Sequence, residues 1–386
     1  MMLTYNDMKK NNSTMGIRLM CAIVFVIFSV GWLYSFQPDI MTMSQHVLSK
    51  GLTHYNPVIG CVCITLILML IQFFVAQSSR LRSSAYALSY FPSMLVLGLL
   101  TAVTENADGG IYFDCHWLGI VLVIALWVGA VYVVRQLQGV FRPTEVRLFS
   151  RPVWFNILIM SLLMICTVWI GNTNAVFHYR MRAEQCLTDG DMKGALMVGR
   201  KSLESDEHLL MLRMYALARE NALGEHLFEY PITGNSSQML PTDSLSCMMF
   251  YPQDSLYKFI GARPASRMSP MRYLELVRQR DSLPNKTVAD YLLCGYLIDR
   301  QIDDFVKELG KYYHIDDSLP KHYREALTLY THMRSRPLVV YHHAVMDEDY
   351  DNLMQLEKQY PDKSERRVKV EEQYRGTYWY YYKYEK

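Results

Sequence analysis

Long apolar runs constrain this chain more than any other feature of its sequence. A helix needs roughly 20 predominantly apolar residues to cross a bilayer. Five runs close to that length lie at residues 18–36, 58–76, 86–104, 117–134 and 153–171. The third is the weakest, because Ser89, Pro92, Ser93 and Thr101 dilute it. Five runs so close together favour transmembrane helices over the buried core of a soluble protein. They predict a transmembrane domain over residues 1–171.

Basic residues alternate between the loops that connect these runs. One set of loops carries Lys9, Lys10, Arg18, Arg80, Arg82, Arg135, Arg142, Arg147 and Arg151. The intervening loops hold Lys50 in one case, and Glu105, Asp108 and Asp114 without a base in the other. The positive-inside rule therefore predicts a multi-pass inner (plasma) membrane protein with a cytoplasmic N-terminus. Five crossings place residues 172–386 in the periplasm or outside the cell, whereas four would return them to the cytoplasm.

The first apolar run resembles the start of a signal peptide, since Lys9, Lys10 and Arg18 precede its apolar part. It is too long for that role, and GWLYSFQPD offers no small-residue cleavage site. We therefore predict a retained helix.

Charge and polarity exclude two classes of function. Ten of the 39 basic and six of the 37 acidic residues precede Asn172, which leaves 29 against 31 in the remainder. Such a near-neutral second half lacks the basic surface of a nucleic-acid-binding domain. Inside the apolar runs the few polar residues include Gln72, Asn156, Ser161 and Thr167, and no Asp, Glu, Lys or His lies mid-membrane. A proton relay or ion path usually needs one, so a transporter is disfavoured.

The sequence of residues 172–386 predicts short amphipathic helices. The stretch GDMKGALMVGRKSLESDE (190–207) resembles the second helix of a tetratricopeptide (TPR) repeat. Gly190 and Asp191 would form the turn, Ala195 would admit the paired helix, and Leu203 would fill the gap to the next repeat. Gly199 and Glu207 depart from the consensus, which has a large aromatic and a proline there.

Further helices are expected at about 208–219, in a pair within 288–313, and at 321–333 with 348–362. We predict an all-α chain in which a TPR-like helical-repeat (α-solenoid) domain over 172–386 follows the five transmembrane helices. An irregular helical domain is the alternative. Residues 231–270, rich in Pro, Ser, Gly and Asn, predict a long loop pinned by apolar side chains. Those side chains are Met248, Met249, Phe250, Tyr251, Tyr257 and Phe259.

No established catalytic signature is present: the sequence lacks GxxxxGK, GxSxG and HExxH. The loop TENADGGIYFDCHW groups Glu105, Asp108 and Asp114 with His116. Its placement resembles that of the acidic outer loops of multi-pass glycosyltransferases. The simpler interpretation is an acidic loop without a catalytic role. If those three acids are catalytic, alanine at each abolishes activity without unfolding the chain.

Metal and redox chemistry are not predicted. A helix would bring His343 and Asp347 to one face beside His342, but a site needs three or four converging ligands. We expect neither a metal nor a cofactor. Cys115, Cys186, Cys247 and Cys294 lie outside the apolar runs, and the sequence leaves their disulfide state open.

The chain ends in TYWYYYKY (377–384). Tyr and Trp suit half-buried surfaces, because each has an apolar body and a polar tip. Docking on the last helices is favoured over contact with the membrane or a partner, since an exposed segment this aromatic invites aggregation. In a strand, Tyr378, Tyr380, Tyr382 and Tyr384 would share one face.

These features together resemble an uncharacterised family of bacterial multi-pass envelope proteins with a TPR-like C-terminal domain. The resemblance is carried by THYNP (53–57), HYRMRAEQCLTDGDMKGAL (178–196), LPKHYREALTLY (319–330) and the aromatic end. It implies topology and lends no reaction. The leading functional prediction is protein–protein interaction or envelope assembly, through a protein or peptide partner on the helical domain. The alternative is a membrane-embedded transferase acting on an envelope glycan or lipid-linked sugar.

Overall fold

A computed structural model describes residues 5–81, 83–105, 111–113, 117–137, 150–241, 248–261, 264, 268–280 and 286–385. The chain divides into two compact units, Met1–Asn174 and Ala175–Lys386. We call them the N-terminal unit and the C-terminal unit.

The N-terminal unit is built from long apolar helices. Its helices are α1 (Tyr5–Gly31), α2 (Pro38–Ser49), α3 (Pro57–Ser79), α4 (Phe91–Thr101), α5 (Trp117–Leu137) and α6 (Arg151–Ile170). A π-helical turn, Trp32–Phe36, continues α1, and a 3₁₀ segment, Ser83–Tyr90, precedes α4. Strands β1 (Val103–Glu105) and β2 (Ile111–Phe113) pair antiparallel, with Val103 opposite Phe113.

Within the described residues, five helical segments are long and apolar enough to cross a membrane, as predicted. They are Met15–Phe36, Pro57–Ser79, Ser84–Thr101, Trp117–Leu137 and Arg151–Ile170. The third ends at Thr101 rather than at residue 104, because the chain turns there into β1. Helix α2 and the β-hairpin were not predicted from the sequence.

The helix of the third segment is broken near its start, and polar side chains of neighbouring helices hydrogen-bond to the residues around the break. Ala85 has non-helical angles inside the 3₁₀ segment (φ −141°). The Ala87 N–H donates to Asn156 Oδ1 at 2.7 Å. Gln72 Nε2 donates to Tyr86 Oη at 3.0 Å and to Ser89 Oγ at 3.1 Å. A backbone or side-chain polar group in an apolar medium needs such partners, so Gln72 and Asn156 serve the packing of this segment.

The C-terminal ends of the first, third and fifth segments meet. Trp32 Nε1 donates to Thr101 Oγ1 at 3.3 Å, and the Asn172 N–H donates to Thr101 O at 2.8 Å. Gly171 fits here because it lacks a side chain: a Cβ would lie 2.7 Å from Thr101 Oγ1 and 2.9 Å from the Trp32 ring. These three segments therefore run in the same direction.

Within its described residues, the regular secondary structure of the C-terminal unit is entirely helical. Its helices are α7 (Ala175–Thr188), α8 (Met192–Met197), α9 (Glu207–Arg219), α10 (Leu223–His226), α11 (Gln253–Ile260), α12 (Pro270–Arg280), α13 (Lys286–Ile298), α14 (Ile302–Leu309), α15 (Lys321–Met333), α16 (Ala344–Gln359), α17 (Lys363–Tyr374) and α18 (Tyr378–Tyr384). Short 3₁₀ turns lie at Leu227–Glu229 and Ser236–Gln238. The helices expected near 208–219, 288–313, 321–333 and 348–362 are all present.

Three helical hairpins of this unit share one turn. They are α7–α8, α9–α10 and α13–α14, and their turn residues Gly190, Asn221 and Arg300 have φ of 77°, 54° and 57°. In each, the turn residue's N–H donates to the carbonyl three residues back, and the next N–H donates five residues back. This is the Schellman ending of a helix. The second residue after the turn residue is buried and apolar each time: Met192, Leu223 and Ile302.

The prediction of one helix over 190–207 was wrong beyond Met197. Gly199 turns the chain with φ of +60°, and a Cβ there would lie 2.8 Å from the Tyr179 ring. The Arg213 guanidinium donates to Val198 O and Gly199 O, both at 3.3 Å, which holds the non-helical path. Ala195 is buried as expected, but Leu203 is 58% exposed and fills no gap between repeats.

Among its described residues, the segment 231–270 contains the 3₁₀ turn Ser236–Gln238, α11 and the first residue of α12, joined by irregular backbone. Met249, Leu256 and Tyr257 are buried. The Tyr251 hydroxyl lies 2.7 Å from that of Tyr215, with their rings 5.5 Å apart. These apolar and aromatic contacts pin the segment to the helices.

Candidate functional site

The acidic loop of the N-terminal unit is described only in part. Glu105 ends β1 opposite Ile111. Asp108, Asp114 and His116 lie outside the described residues, so the proposed grouping of these acids stays a prediction. Across the part of the chain that is described, no three His, Cys, Asp or Glu side chains converge as metal ligands would.

The two neighbouring histidines of the C-terminal unit belong to separate pairs. His342 Nδ1 lies 3.3 Å from Asp347 Oδ2, and His332 Nε2 lies 3.9 Å from Asp347 Oδ1. His343 instead caps α16, where its Nδ1 accepts from the Met346 N–H at 3.3 Å. His343 and Asp347 therefore do not share a helical face, because His343 lies before the first turn of α16.

Glu184 is a buried carboxyl that binds backbone. Its Oε2 accepts from the N–H groups of Met249 and Phe250 at 2.7 and 2.9 Å. Burial raises the pKa of Glu184 to about 7, against the opposing effects of these N–H groups and of Arg180. The group ties α7 to the segment before α11, and its position inside the core leaves no room for a substrate.

Asp290 is a second buried carboxyl. Its Oδ1 accepts from Tyr313 Oη at 2.5 Å and from Tyr323 Oη at 3.0 Å. Burial raises the pKa of Asp290, although both hydrogen bonds act to lower it. The Cys294 Sγ lies 3.6 Å from the Tyr323 hydroxyl, and burial raises the pKa of this thiol, which makes it a poor nucleophile. Cys294 is a free thiol.

The aromatic end forms α18 and docks on the unit's own helices, as predicted, although as a helix rather than a strand. Tyr378, Trp379, Tyr380 and Tyr381 are all buried. The Tyr378 N–H donates to Glu325 Oε2 and Trp379 Nε1 donates to Glu325 O, each at 2.7 Å. A core position for these side chains leaves them unavailable to a membrane or a partner.

Glu325 also holds a buried histidine. His322 Nδ1 lies 2.9 Å from Glu325 Oε2, and His322 Nε2 accepts from the Phe228 N–H at 3.2 Å. The backbone donor at Nε2 places the imidazole proton on Nδ1, so Nδ1 donates to Glu325. Both ring nitrogens are occupied, and the pair fastens α15 to α18 and to the 3₁₀ turn at Leu227–Glu229.

The remaining candidate is an apolar surface on the connection between α15 and α16. Met333, Leu338, Val340 and Val345 are 42%, 70%, 60% and 58% exposed. We call these four side chains the Met333–Val345 surface. They are half of the eight large hydrophobic side chains that are exposed in the described part of the C-terminal unit. Exposed apolar clusters of this kind mark interaction sites.

The connection is held to α15 by hydrogen bonds. Burial alternates along it: Leu338, Val340 and His342 face out, whereas Val339 and Tyr341 face in. The Leu338 N–H donates to Tyr330 Oη at 3.1 Å, and the Tyr341 N–H donates to Thr331 Oγ1 at 3.3 Å. The outward side chains are thus presented by a fixed backbone.

Charged pairs flank this surface. Arg334 makes a two-point contact with Asp303, with Nε 3.2 Å and Nη2 2.5 Å from its two oxygens. His342 and Asp347 form the pair described above. An apolar centre with a polar rim is the usual anatomy of a protein-binding patch.

A family model described as a family of unknown function, DUF6057, matches residues 267–385. The match covers under a third of the chain, and it includes the Met333–Val345 surface and all of α18. No curated protein and no solved structure matches the chain.

Sequence reasoning missed the Met333–Val345 surface. The available signal was the run Pro337–Tyr341, PLVVY, between two amphipathic helices. An apolar run of this length predicts a buried strand as readily as an exposed one, so burial had to be seen.

Proposed function

We propose that this chain is a multi-pass inner-membrane protein whose C-terminal unit lies outside the cytoplasm and binds a protein or peptide partner. The observation that carries the proposal is the Met333–Val345 surface, an exposed apolar cluster on a backbone fixed by hydrogen bonds to α15. The N-terminal unit would anchor this surface at the membrane.

The membrane part rests on three features. Five helical segments are long and apolar enough to cross. The third, which was the weakest in sequence, ends beside the first and the fifth through the contacts of Thr101 with Trp32 and Asn172. Shared ends support an odd number of crossings, and the basic loops place the N-terminus in the cytoplasm by the positive-inside rule.

The repeat-like part rests on the hairpins. Helix pairs with the same Schellman turn recur at Gly190, Asn221 and Arg300. Stacked helix pairs of this type form TPR-like arrays that bind peptides and proteins through extended surfaces. We propose that these hairpins are degenerate TPR-like repeats that position α15 and α16.

The partner's chemistry follows from the surface. Leu338, Val340 and Val345 offer branched aliphatic side chains and no formal charge, so the complementary surface would be apolar at its centre. The flanking Arg334–Asp303 and His342–Asp347 pairs would meet polar groups at the rim. No described contact favours the transferase alternative.

The test is a photo-crosslinking amino acid placed at position 340 of the full chain in intact cells. The proposal predicts one discrete adduct, identified by mass spectrometry. L338D together with V340D should abolish copurification of that protein while the Trp379 emission and melting temperature stay unchanged, because exposed substitutions typically alter stability by less than about 0.5 kcal/mol.

The matched control is the same crosslinker, and the same Leu→Asp change, at Leu203. That residue is 58% exposed and lies on a different connection of the same unit. Equal adducts from positions 203 and 340, or copurification that survives the double Asp variant, would overturn the proposal.

A further inference from the structure

A cavity of about 400 Å³ lies between α3 and α5 of the N-terminal unit. One wall is formed by Phe74, Val75, Ser78 and Ser79 of α3, and the other by Trp127, Val128, Val131, Tyr132 and Arg135 of α5. Spacings of one and four residues put each set on one face of its helix. The cavity is thus a cleft between two facing stripes, within the size range of small-ligand sites.

Helix α5 contacts the third segment near its middle, and the cleft lies beside its last turns. None of its residues is buried. Trp127 Nε1 donates to Leu88 O at 2.9 Å, and the Trp127 ring stacks on Phe91 at 5.4 Å. These contacts hold the middle of α5 against the third segment. The last turns of α5, from Val131 to Arg135, then stand across the cleft from the end of α3.

Polarity changes along the cleft. Its deeper part is apolar, with Phe74, Val75, Trp127 and Val131. Its end carries Arg135 and two serines, of which Ser79 has a buried Oγ with no hydrogen-bond partner among the described residues. Arg80, exposed, follows directly and ends α3 in a left-handed conformation (φ 48°). The cleft is therefore apolar inside and cationic at its mouth.

We propose that this cleft binds an anionic phospholipid, with one acyl chain between α3 and α5 and the phosphate at Arg135 and Ser79. The inference rests on the membrane location proposed above. A guanidinium binds phosphate oxygens in a two-point geometry. Basic pockets between membrane helices bind anionic head groups, and by the positive-inside rule this end of α3 and α5 lies at the cytoplasmic leaflet.

A lipid explains the cleft better than a water-soluble ligand or another helix does. A polar metabolite would face Phe74, Val75 and Val131 without hydrogen-bond partners. A protein helix packed along α5 would cover its whole apolar length, whereas the cleft lines only its last three turns or so. An acyl chain with a charged head matches both the walls and the mouth.

The experiment is native mass spectrometry of the full chain in detergent micelles, titrated with phosphatidylglycerol or with phosphatidylcholine of the same acyl chains. We expect the anionic lipid to bind more tightly. R135Q should weaken phosphatidylglycerol binding about fivefold, the worth of one basic residue at a lipid surface, and leave phosphatidylcholine binding unchanged. V131W, which fills the cleft, should weaken the binding of both lipids.

R151Q is the matched control, since Arg151 is exposed at the start of α6 and does not line the cleft. Equal losses in R135Q and R151Q would mean non-specific attraction and would overturn the proposal. Full lipid binding in V131W, with the protein monodisperse, would do the same. The measurement in micelles does not depend on orientation, so a reversed topology would refute the proposed function while leaving this site testable.

Discussion

Removing the Glu325 carboxylate should loosen the end of the chain. E325A deprives two buried donors, His322 Nδ1 and the Tyr378 N–H, of the oxygen that accepts from both. Each unsatisfied buried donor costs about 1–3 kcal/mol, which gives roughly 4 kcal/mol for the pair. The C-terminal unit spans residues 175–386. For a unit of that size each kcal/mol lowers the melting temperature by about 2–4 °C. We expect a decrease of about 8–16 °C.

The assay follows Trp379 emission on heating the full chain in micelles. Trp379 is 2% exposed and is the one tryptophan after Asn174, but five others precede it. The emission of a W379F chain is therefore subtracted, and a red shift of the difference reports the release of α18. E325Q should lose less than half as much, because its amide oxygen can take the place of Oε2 and accept from both donors, although without the negative charge. E372A is the control, as Glu372 is exposed and pairs with Lys369. If the melting temperature of E325A lay within about 2 °C of that of E372A, the role assigned to Glu325 would be contradicted.

Two further predictions concern buried polar groups. Burial raises the pKa of Glu184 from 4.5 to about 7, so between these pH values the folded chain binds more protons than the unfolded chain. The resulting stabilisation is complete below about pH 4.5 and is lost as pH rises through 7. The free energy of unfolding should fall by up to about 3 kcal/mol. E184Q keeps the acceptor oxygen, so chemical unfolding at pH 5 and pH 8 should show a smaller pH-dependent loss for E184Q than for wild type; equal losses would contradict this. N156L leaves the Ala87 N–H without its Asn156 acceptor. It should destabilise the N-terminal unit by about 1 kcal/mol in SDS titration. S161A serves as the control, and an N156L unfolding curve that overlays the S161A curve would contradict the role assigned to Asn156.

The apolar segments could be predicted because length and composition alone define them. The interruption of the third segment could not, since it depends on Asn156 and Gln72 reaching it from other helices. The sequence showed Ser89 and Ser93 only as dilution. In the structure Ser93 Oγ donates to Leu68 O at 2.7 Å, and Ser89 accepts from Gln72, so both are packing contacts.

The hairpins were predictable where glycine marks the turn and hidden where it does not. Gly190 indicated its turn, but Asn221 and Arg300 take the same left-handed conformation. A side chain other than glycine normally resists that conformation, at roughly 1–2 kcal/mol per residue. Only the tertiary fold explains Arg300, whose guanidinium donates to Tyr381 O and stacks over the Tyr381 ring at 4.9 Å.

For the candidate site, the residue types could be read from the sequence, but the exposure of their side chains could not. TYWYYYKY and PLVVY are both apolar and aromatic runs near the end of the chain. The first is buried because Glu325 and Ile298 offer hydrogen-bond partners to Tyr378, Trp379 and Tyr381. The second is half exposed, because Leu338 and Val340 face out whereas Val339 and Tyr341 face in. That difference is a property of the packing.

The proposed function requires that the C-terminal unit lie outside the cytoplasm on five crossings. It is tested most directly by fusing alkaline phosphatase, which is active only outside the cytoplasm, after Lys386, with a fusion after Arg82 as the internal comparison. We expect phosphatase activity for the fusion after Lys386 and none for the fusion after Arg82. An inactive Lys386 fusion, with a cytoplasmic reporter active at the same position, would contradict it.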